Sequence, residues 1–122
     1  MSQSKEDYLK FIYEHSQDSL LSNKEIAAGL GIAPPSVSEM MAKLTAEGLV
    51  EYKAYHGGKL TPLGETRARD ILRKHEIWEY FLAHKLGYGP REVHDLAEVL
   101  EHVTPADLAD RLAQYINFPE KG

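Results

Sequence analysis

Residues 22–61 carry a run of helix punctuation and turn residues that few folds accommodate. Ser22-Asn23-Lys24-Glu25 is a capping box: the serine hydroxyl can accept from the backbone three residues on, and the glutamate can reach back. It opens a short helix, Lys24 to Leu30, closed by Gly31, since glycine takes the left-handed conformation that ends helices. Ile32-Ala33-Pro34-Pro35 is a tight turn, and proline suits the first position of the next helix. That helix runs through Val37, Met40, Met41 and Leu44 to Gly48. Two short helices joined by such a turn form a helix-turn-helix. Leu49 to Tyr55 then reads as a strand, His56-Gly57-Gly58-Lys59 as a two-residue hairpin turn, and Leu60-Thr61 as the return strand. A hairpin directly after a helix-turn-helix is a wing.

The flanks read as helices. Ser4 with Asp7 three residues on caps a first helix whose apolar stripe is Tyr8, Leu9, Ile12 and Tyr13. Thr61-Pro62 opens a long helix reaching about Leu86 and stopped by Gly87. Its apolar positions, Ile71, Leu72, Trp78, Phe81 and Leu82, exceed what one helix-turn-helix module needs. A further helix spans Glu92 to Val103, and Thr104-Pro105-Ala106-Asp107 caps a last one ending near Ile116. The expected fold is mainly α with a small β-hairpin wing. A winged helix-turn-helix over residues 1–62 is followed by an all-helical domain over 63–122, with 63–74 as the start of the long connecting helix.

Composition narrows the function. At 122 residues, with 43% hydrophobic and 27% charged, the chain can bury a core but is short for two independent domains. Cysteine is absent, so disulfides and thiolate ligands are excluded and any metal site must use oxygen and nitrogen. No apolar run approaches the roughly 20 residues of a membrane span. The polar start shows no secretory signal, so a cytoplasmic location is expected. The net charge of −5 is uneven. Residues 1–74 hold ten Lys/Arg and ten Asp/Glu, whereas residues 75–122 hold four and nine. The first part can therefore meet DNA while the acidic second part attracts cations.

Two groups of residues carry chemistry. On the third helix Pro34, Pro35, Ser36, Ser38, Glu39 and Lys43 can enter a major groove, and Lys24, Lys53 and Lys59 can neutralise phosphates. The alternative for such a module is protein–protein contact. Near the end of the chain His94, Glu98, Glu101 and His102 recur at helical spacing, so they stack along one face. Imidazoles and carboxylates packed together are ordinary ligands of a divalent cation; the alternative is a solvated polar face. His75 and Glu79, four apart on the long helix, read as a surface pair when taken alone. His15, His56 and His84 lack acids at ligand spacing. No His-Glu-x-x-His sequence, nucleophile elbow or glycine-rich phosphate loop is present, so nothing points to an enzyme or to a small-molecule substrate.

The order of winged helix, Arg73-Lys74-His75 on the long helix, and Val93-His94-Asp95-x-Ala97-Glu98-x-x-Glu101-His102 resembles the diphtheria-toxin-repressor family. The openings Lys5-Glu6-Asp7-Tyr8-Leu9-Lys10 and Pro34-Pro35-Ser36-Val37-Ser38-Glu39-Met40 look most like its manganese-regulator branch. The resemblance covers essentially the whole chain. It implies a homodimeric repressor of metal-uptake genes that binds operator DNA when loaded with metal. It also implies a primary metal site of Asp7, Glu98, Glu101 and His102, with His75 close by or coordinating. A second site maps onto His75, Glu79 and His94. Position 98 is Glu where iron-sensing members place Cys, and position 7 is Asp where they place Met. Lys10 stands where some manganese regulators supply a further Glu. Many relatives continue into a small β-barrel domain, so the chain is read as a two-domain member or a truncated one.

Mn²⁺ is the expected cofactor, with Fe²⁺ second and Zn²⁺, Cd²⁺ or Co²⁺ also able to bind. Hard oxygen donors without sulfur suit manganese, although its place at the bottom of the Irving–Williams order leaves selectivity to geometry. The expected mechanism has a cation drawing Asp7 and the Glu98–His102 segment together, fixing the reading helices of a dimer in register with two half-sites. Two rivals remain open. One is a metal-independent winged-helix regulator sensing a small organic ligand; the other is a small metallohydrolase.

Overall fold

The structure, a computed structural model, describes residues 3–16 and 19–119. Among the described residues six helices and one antiparallel hairpin follow in the order α1 (Gln3–His15), α2 (Asn23–Leu30), α3 (Pro34–Ala46), β1 (Val50–Lys53), β2 (Gly57–Leu60), α4 (Pro62–His84), α5 (Pro90–Leu100) and α6 (Ala106–Tyr115). The chain packs as two compact units that divide between Arg69 and Asp70, inside α4. Among the described residues no helix is long and apolar enough to cross a membrane.

The first unit follows its punctuation closely. Ser22 Oγ accepts from Glu25 N at 3.1 Å and Ser22 N donates to Glu25 Oε1 at 3.2 Å, so the capping box forms as the spacing requires. Gly31 ends α2 at φ 69 and Pro34 starts α3. The core is built from one stripe of each helix: Leu9 and Ile12 from α1, Ile26 from α2, and Val37, Met41 and Leu44 from α3, closed by Leu49 and Val50. Each such fully buried side chain contributes roughly 1.5–3 kcal/mol relative to exposure, which outweighs any single surface pair. One expectation fails here. Ser4 does not cap α1, because the helix already includes Gln3 and Ser4 lies within its first turn.

The wing also departs from the local reading. Gly57 and Gly58 are not the hairpin turn; they form the start of β2, in register with Lys53 and Tyr52. The turn is Ala54-Tyr55-His56, closed by His56 N donating to Lys53 O at 3.0 Å, with Tyr55 at φ 66. The reason lies in a third segment. Leu21 exchanges hydrogen bonds of 2.8 and 3.0 Å with Gly58, and a Cβ on Gly57 would stand 2.2 Å from Leu21 O. The glycines are needed for close approach of backbones, which outcompetes their use as turn residues.

Gly57→Ala should therefore lose about 2–4 kcal/mol of stability, since φ is +114 and the clash is with backbone. Gly31→Ala, also left-handed but with nothing within 4 Å, should lose only about 1–2 kcal/mol. Denaturant midpoints of the two variants check this, and equal losses would refute the close-approach account.

In the second unit, Ile77 of α4 packs with Ala109, Ala113 and Ile116, ringed by Tyr80, Phe81, Leu112 and Phe118. Pro90 starts α5 behind Gly89, two residues before the expected Glu92. The helix proper ends at Leu100 rather than Val103. Beyond it His102 N donates to Val99 O at 3.3 Å and Val103 N to Leu100 O at 3.1 Å, three-residue spacings that tighten the last turn. Glu101 still follows the α-helical face, its N donating to Ala97 O at 3.0 Å, and the tightening begins at His102. Thr104 is not the cap of α6 either; Pro105 holds that position without a side-chain bond. Thr104 Oγ1 instead accepts from Trp78 Nε1 at 2.7 Å and donates to Leu100 O at 2.5 Å, joining α4 to the end of α5. Buried indole and hydroxyl groups each need a partner, and this pairing satisfies both.

Candidate metal centre and nucleic-acid face

The candidate metal centre of the second unit turns on His75, which is 8% exposed on α4. Its Nδ1 lies 2.8 Å from Glu101 Oε1 and its Nε2 lies 3.1 Å from Glu79 Oε2, one turn along the same helix. Glu101 is 1% exposed, so a carboxylate is held in the interior beside an imidazole. A neutral imidazole has one N–H and one lone pair. It can donate to one of these carboxylates, and its other nitrogen then sets a lone pair toward the oxygen of the second. A proton or a cation resolves that opposition.

Among the described residues of this unit, two overlapping groups of donors result. His75, Glu98 and Glu101 offer ligand atoms within 4.8 Å of one another, and so do His75, Glu79 and His94. In the first, Glu98 Oε1 stands 4.0 Å from His75 Nδ1. In the second, His94 Nδ1 is 3.6 Å from Glu79 Oε2, while its Nε2 is 3.5 Å from Glu98 Oε1. The two imidazoles meet edge-on with ring centroids 5.3 Å apart. Imidazole nitrogen and carboxylate oxygen at this spacing fit a divalent cation, whose bonds of about 2.0–2.2 Å need only a small contraction. When a metal takes one nitrogen of His75, the other N–H is left to hold a carboxylate, an arrangement that commonly orients metal-bound histidines. The remaining expected residues are half-buried: His102 directly after Glu101, and Asp7 on α1 of the first unit.

On the first unit every sequence-expected DNA residue is exposed: Lys24 on α2, Pro34, Pro35, Ser36, Ser38, Glu39 and Lys43 on α3, and Lys53 and Lys59 on the wing strands. Two of the cations carry surface partners, Lys43 with Glu39 at 3.6 Å and Lys59 with Glu51 at 3.9 Å. Such exposed pairs are worth about 0–1 kcal/mol and yield readily to a phosphate. Sequence reasoning missed two features of this face. Asn23 Nδ2 donates to Ser38 Oγ at 3.2 Å and to Tyr52 OH at 3.3 Å, tying α2, α3 and the wing together. No local signal marks a bond across 29 residues. The other is Tyr55, fully exposed at the wing's tip.

Comparison with known proteins covers both units. Residues 1–58 match the model of the iron dependent repressor N-terminal DNA binding domain, and residues 61–122 that of the iron dependent repressor metal binding and dimerisation domain. The helix-turn-helix transcriptional regulator MntR of Lysinibacillus sphaericus is 32% identical over 97% of this chain and 85% of its own. Among solved structures, the manganese regulator SloR superposes with a TM-score of 0.81 at 42% identity, covering 98% of this chain and 56% of SloR. ScaR with bound Zn²⁺ gives 0.84 at 45% identity, covering 94% of this chain and 54% of ScaR, which has also been solved with Cd²⁺. The chain thus spans just over half the length of these two solved relatives.

Proposed function

Because the chain belongs to the iron-dependent, or diphtheria-toxin, repressor family of metal-dependent transcriptional regulators, we propose that it is a homodimeric repressor of metal-uptake genes switched on by Mn²⁺. The observation that carries this reading is His75, whose two ring nitrogens face carboxylates on opposite sides. A cation is the natural occupant of such a set, and the donors are nitrogen and oxygen only. SloR is a manganese regulator, and the oxygen and imidazole donor set here suits the same metal, with Fe²⁺ second. Zn²⁺, Cd²⁺ and Co²⁺ fit as competitors.

The proposed primary ligands are Glu98, Glu101 and His102 with Asp7, the last on the strength of the sequence resemblance, and with His75 beside them. Glu79 and His94 with His75 are the proposed second set. A cation whose ligands include Asp7 makes the position of the reading helices depend on metal, because carboxylates that repel one another become co-ligands. Shifting a two-state equilibrium from mostly incompetent to mostly competent takes about 5.5 kcal/mol of differential affinity, within reach of a multidentate site. Dimerisation belongs to the second unit, in keeping with the domain it matches. The partner is double-stranded operator DNA, reached in the cytoplasm. One DNA-binding module over residues 1–62 and one metal-binding and dimerisation module over 63–122 carry these roles.

The deciding experiment is fluorescence anisotropy of a duplex enriched from a random pool, titrated with Mn²⁺, with Fe²⁺ under anaerobic conditions, and with Zn²⁺, each against a chelator. Mn²⁺ should tighten binding by about 100-fold or more. Equal binding with and without chelator would instead favour a regulator sensing an organic ligand.

A further inference from the structure

The wing ends in a residue poorly suited to its own backbone. Tyr55 has φ 66, in the left-handed region that bulky side chains avoid, and its ring is wholly exposed. Elsewhere among the described residues positive φ is given to Gly31, Gly48, Gly57 and Gly87 and to Asn117, so a tyrosine departs from the chain's own habit. The ring buries nothing within the unit, so it does not recover the free energy that its conformation costs. Strain and exposure that both oppose the folded state point to a use outside it.

The surroundings indicate what that use is. Lys53, His56 and Lys59 flank the tip and are all exposed. The strand that carries it is held to the reading helix through Asn23, which bonds both Tyr52 and Ser38. The tip is thus continuous with the face that carries Pro35, Ser36 and Ser38. Resting on the repressor reading above, we propose that Tyr55 is a DNA-contacting residue of the wing. Its hydroxyl donates to a phosphate oxygen and its ring lies on the adjoining sugar. Tyrosine is among the side chains that bind the duplex backbone in this way, and Lys53 and Lys59 supply the attraction that brings the tip there. A backbone contact carries no sequence information, so it strengthens operator and non-operator binding alike.

The test uses the full chain with Mn²⁺, a duplex enriched from a random pool by that protein, and a scrambled duplex of the same length. Tyr55→Asn keeps the left-handed turn, which asparagine tolerates, and deletes the ring and hydroxyl. Tyr55→Phe deletes the hydroxyl alone. The asparagine variant should melt about 2–5 °C higher, because strain is relieved. It should bind both duplexes about 5- to 20-fold more weakly, with unchanged affinity for Mn²⁺. The phenylalanine variant should lose about 3- to 10-fold with no change in melting. Binding of the asparagine variant within about twofold of wild type would overturn the proposal. So would a weakened asparagine variant that also melts lower, since the ring would then be a structural piece of the wing. If the wild-type protein enriches no duplex, the repressor reading itself fails and this proposal falls with it.

Discussion

Glu101→Gln is expected to abolish metal activation while leaving the fold intact. Glutamine has the same size and keeps an oxygen to accept from His75 Nδ1, now 2.8 Å from Glu101 Oε1. Without metal the variant should keep the fold, because glutamine fills the same space and preserves the acceptor that faces His75. With metal the two proteins should part. A site that loses one of its anionic ligands should bind Mn²⁺ about 100-fold more weakly or worse, since a charged ligand is replaced by a weak neutral one. An ion that binds only the folded state stabilises by about 2.7 kcal/mol at a hundred times its Kd, which for a chain of this size moves Tm upward by about 8 °C or more. Wild-type protein should show that rise and Glu101→Gln should show almost none at the same Mn²⁺ concentration. A full rise in the variant would remove Glu101 from the ligand set and with it the main support for a metal centre around His75.

What the sequence revealed and what it hid divide along a physical line. Features set by residues close in the chain were legible: the Ser22–Glu25 box, Gly31 as a left-handed stop, Pro34 at the start of α3, and Thr61, whose Oγ1 accepts from Gly64 N at 3.1 Å to begin α4. Features set by distant partners were not. Gly57-Gly58 satisfies every local rule for a hairpin turn, yet Leu21, more than thirty positions back, takes both into the strand. Thr104-Pro105 reads as a helix cap until Trp78 claims the hydroxyl. The metal candidates divide in the same way. His94 and Glu98 announce themselves by spacing. His75 with Glu79 reads as a surface pair, because nothing local says that Glu101, 26 residues on, faces the other ring nitrogen in the interior. Burial, which turns an ordinary ion pair into a demanding site, is a property of the assembled unit.

Asp7→Met combined with Glu98→Cys should reverse the metal preference from manganese to iron. Mn²⁺ has the weakest intrinsic affinity of the first-row divalent ions, so a regulator that answers to it must forgo donors that favour its competitors. Carboxylates do this, since they hold hard cations and give little extra to softer ones. A thiolate and a thioether in their place add much to Fe²⁺ and Zn²⁺ and little to Mn²⁺. Glu98 is half-buried beside His94, its Oε1 3.5 Å from His94 Nε2, so a shorter cysteine at that position exposes space to solvent rather than opening a core cavity. The double variant should need about tenfold or more Mn²⁺ to reach half-maximal DNA binding, and Fe²⁺ under anaerobic conditions should become the stronger activator. Isothermal titration of each metal alone separates affinity from activation. If manganese still activates the double variant better than iron does, donor softness is not what selects the metal, and coordination number and geometry must set the choice.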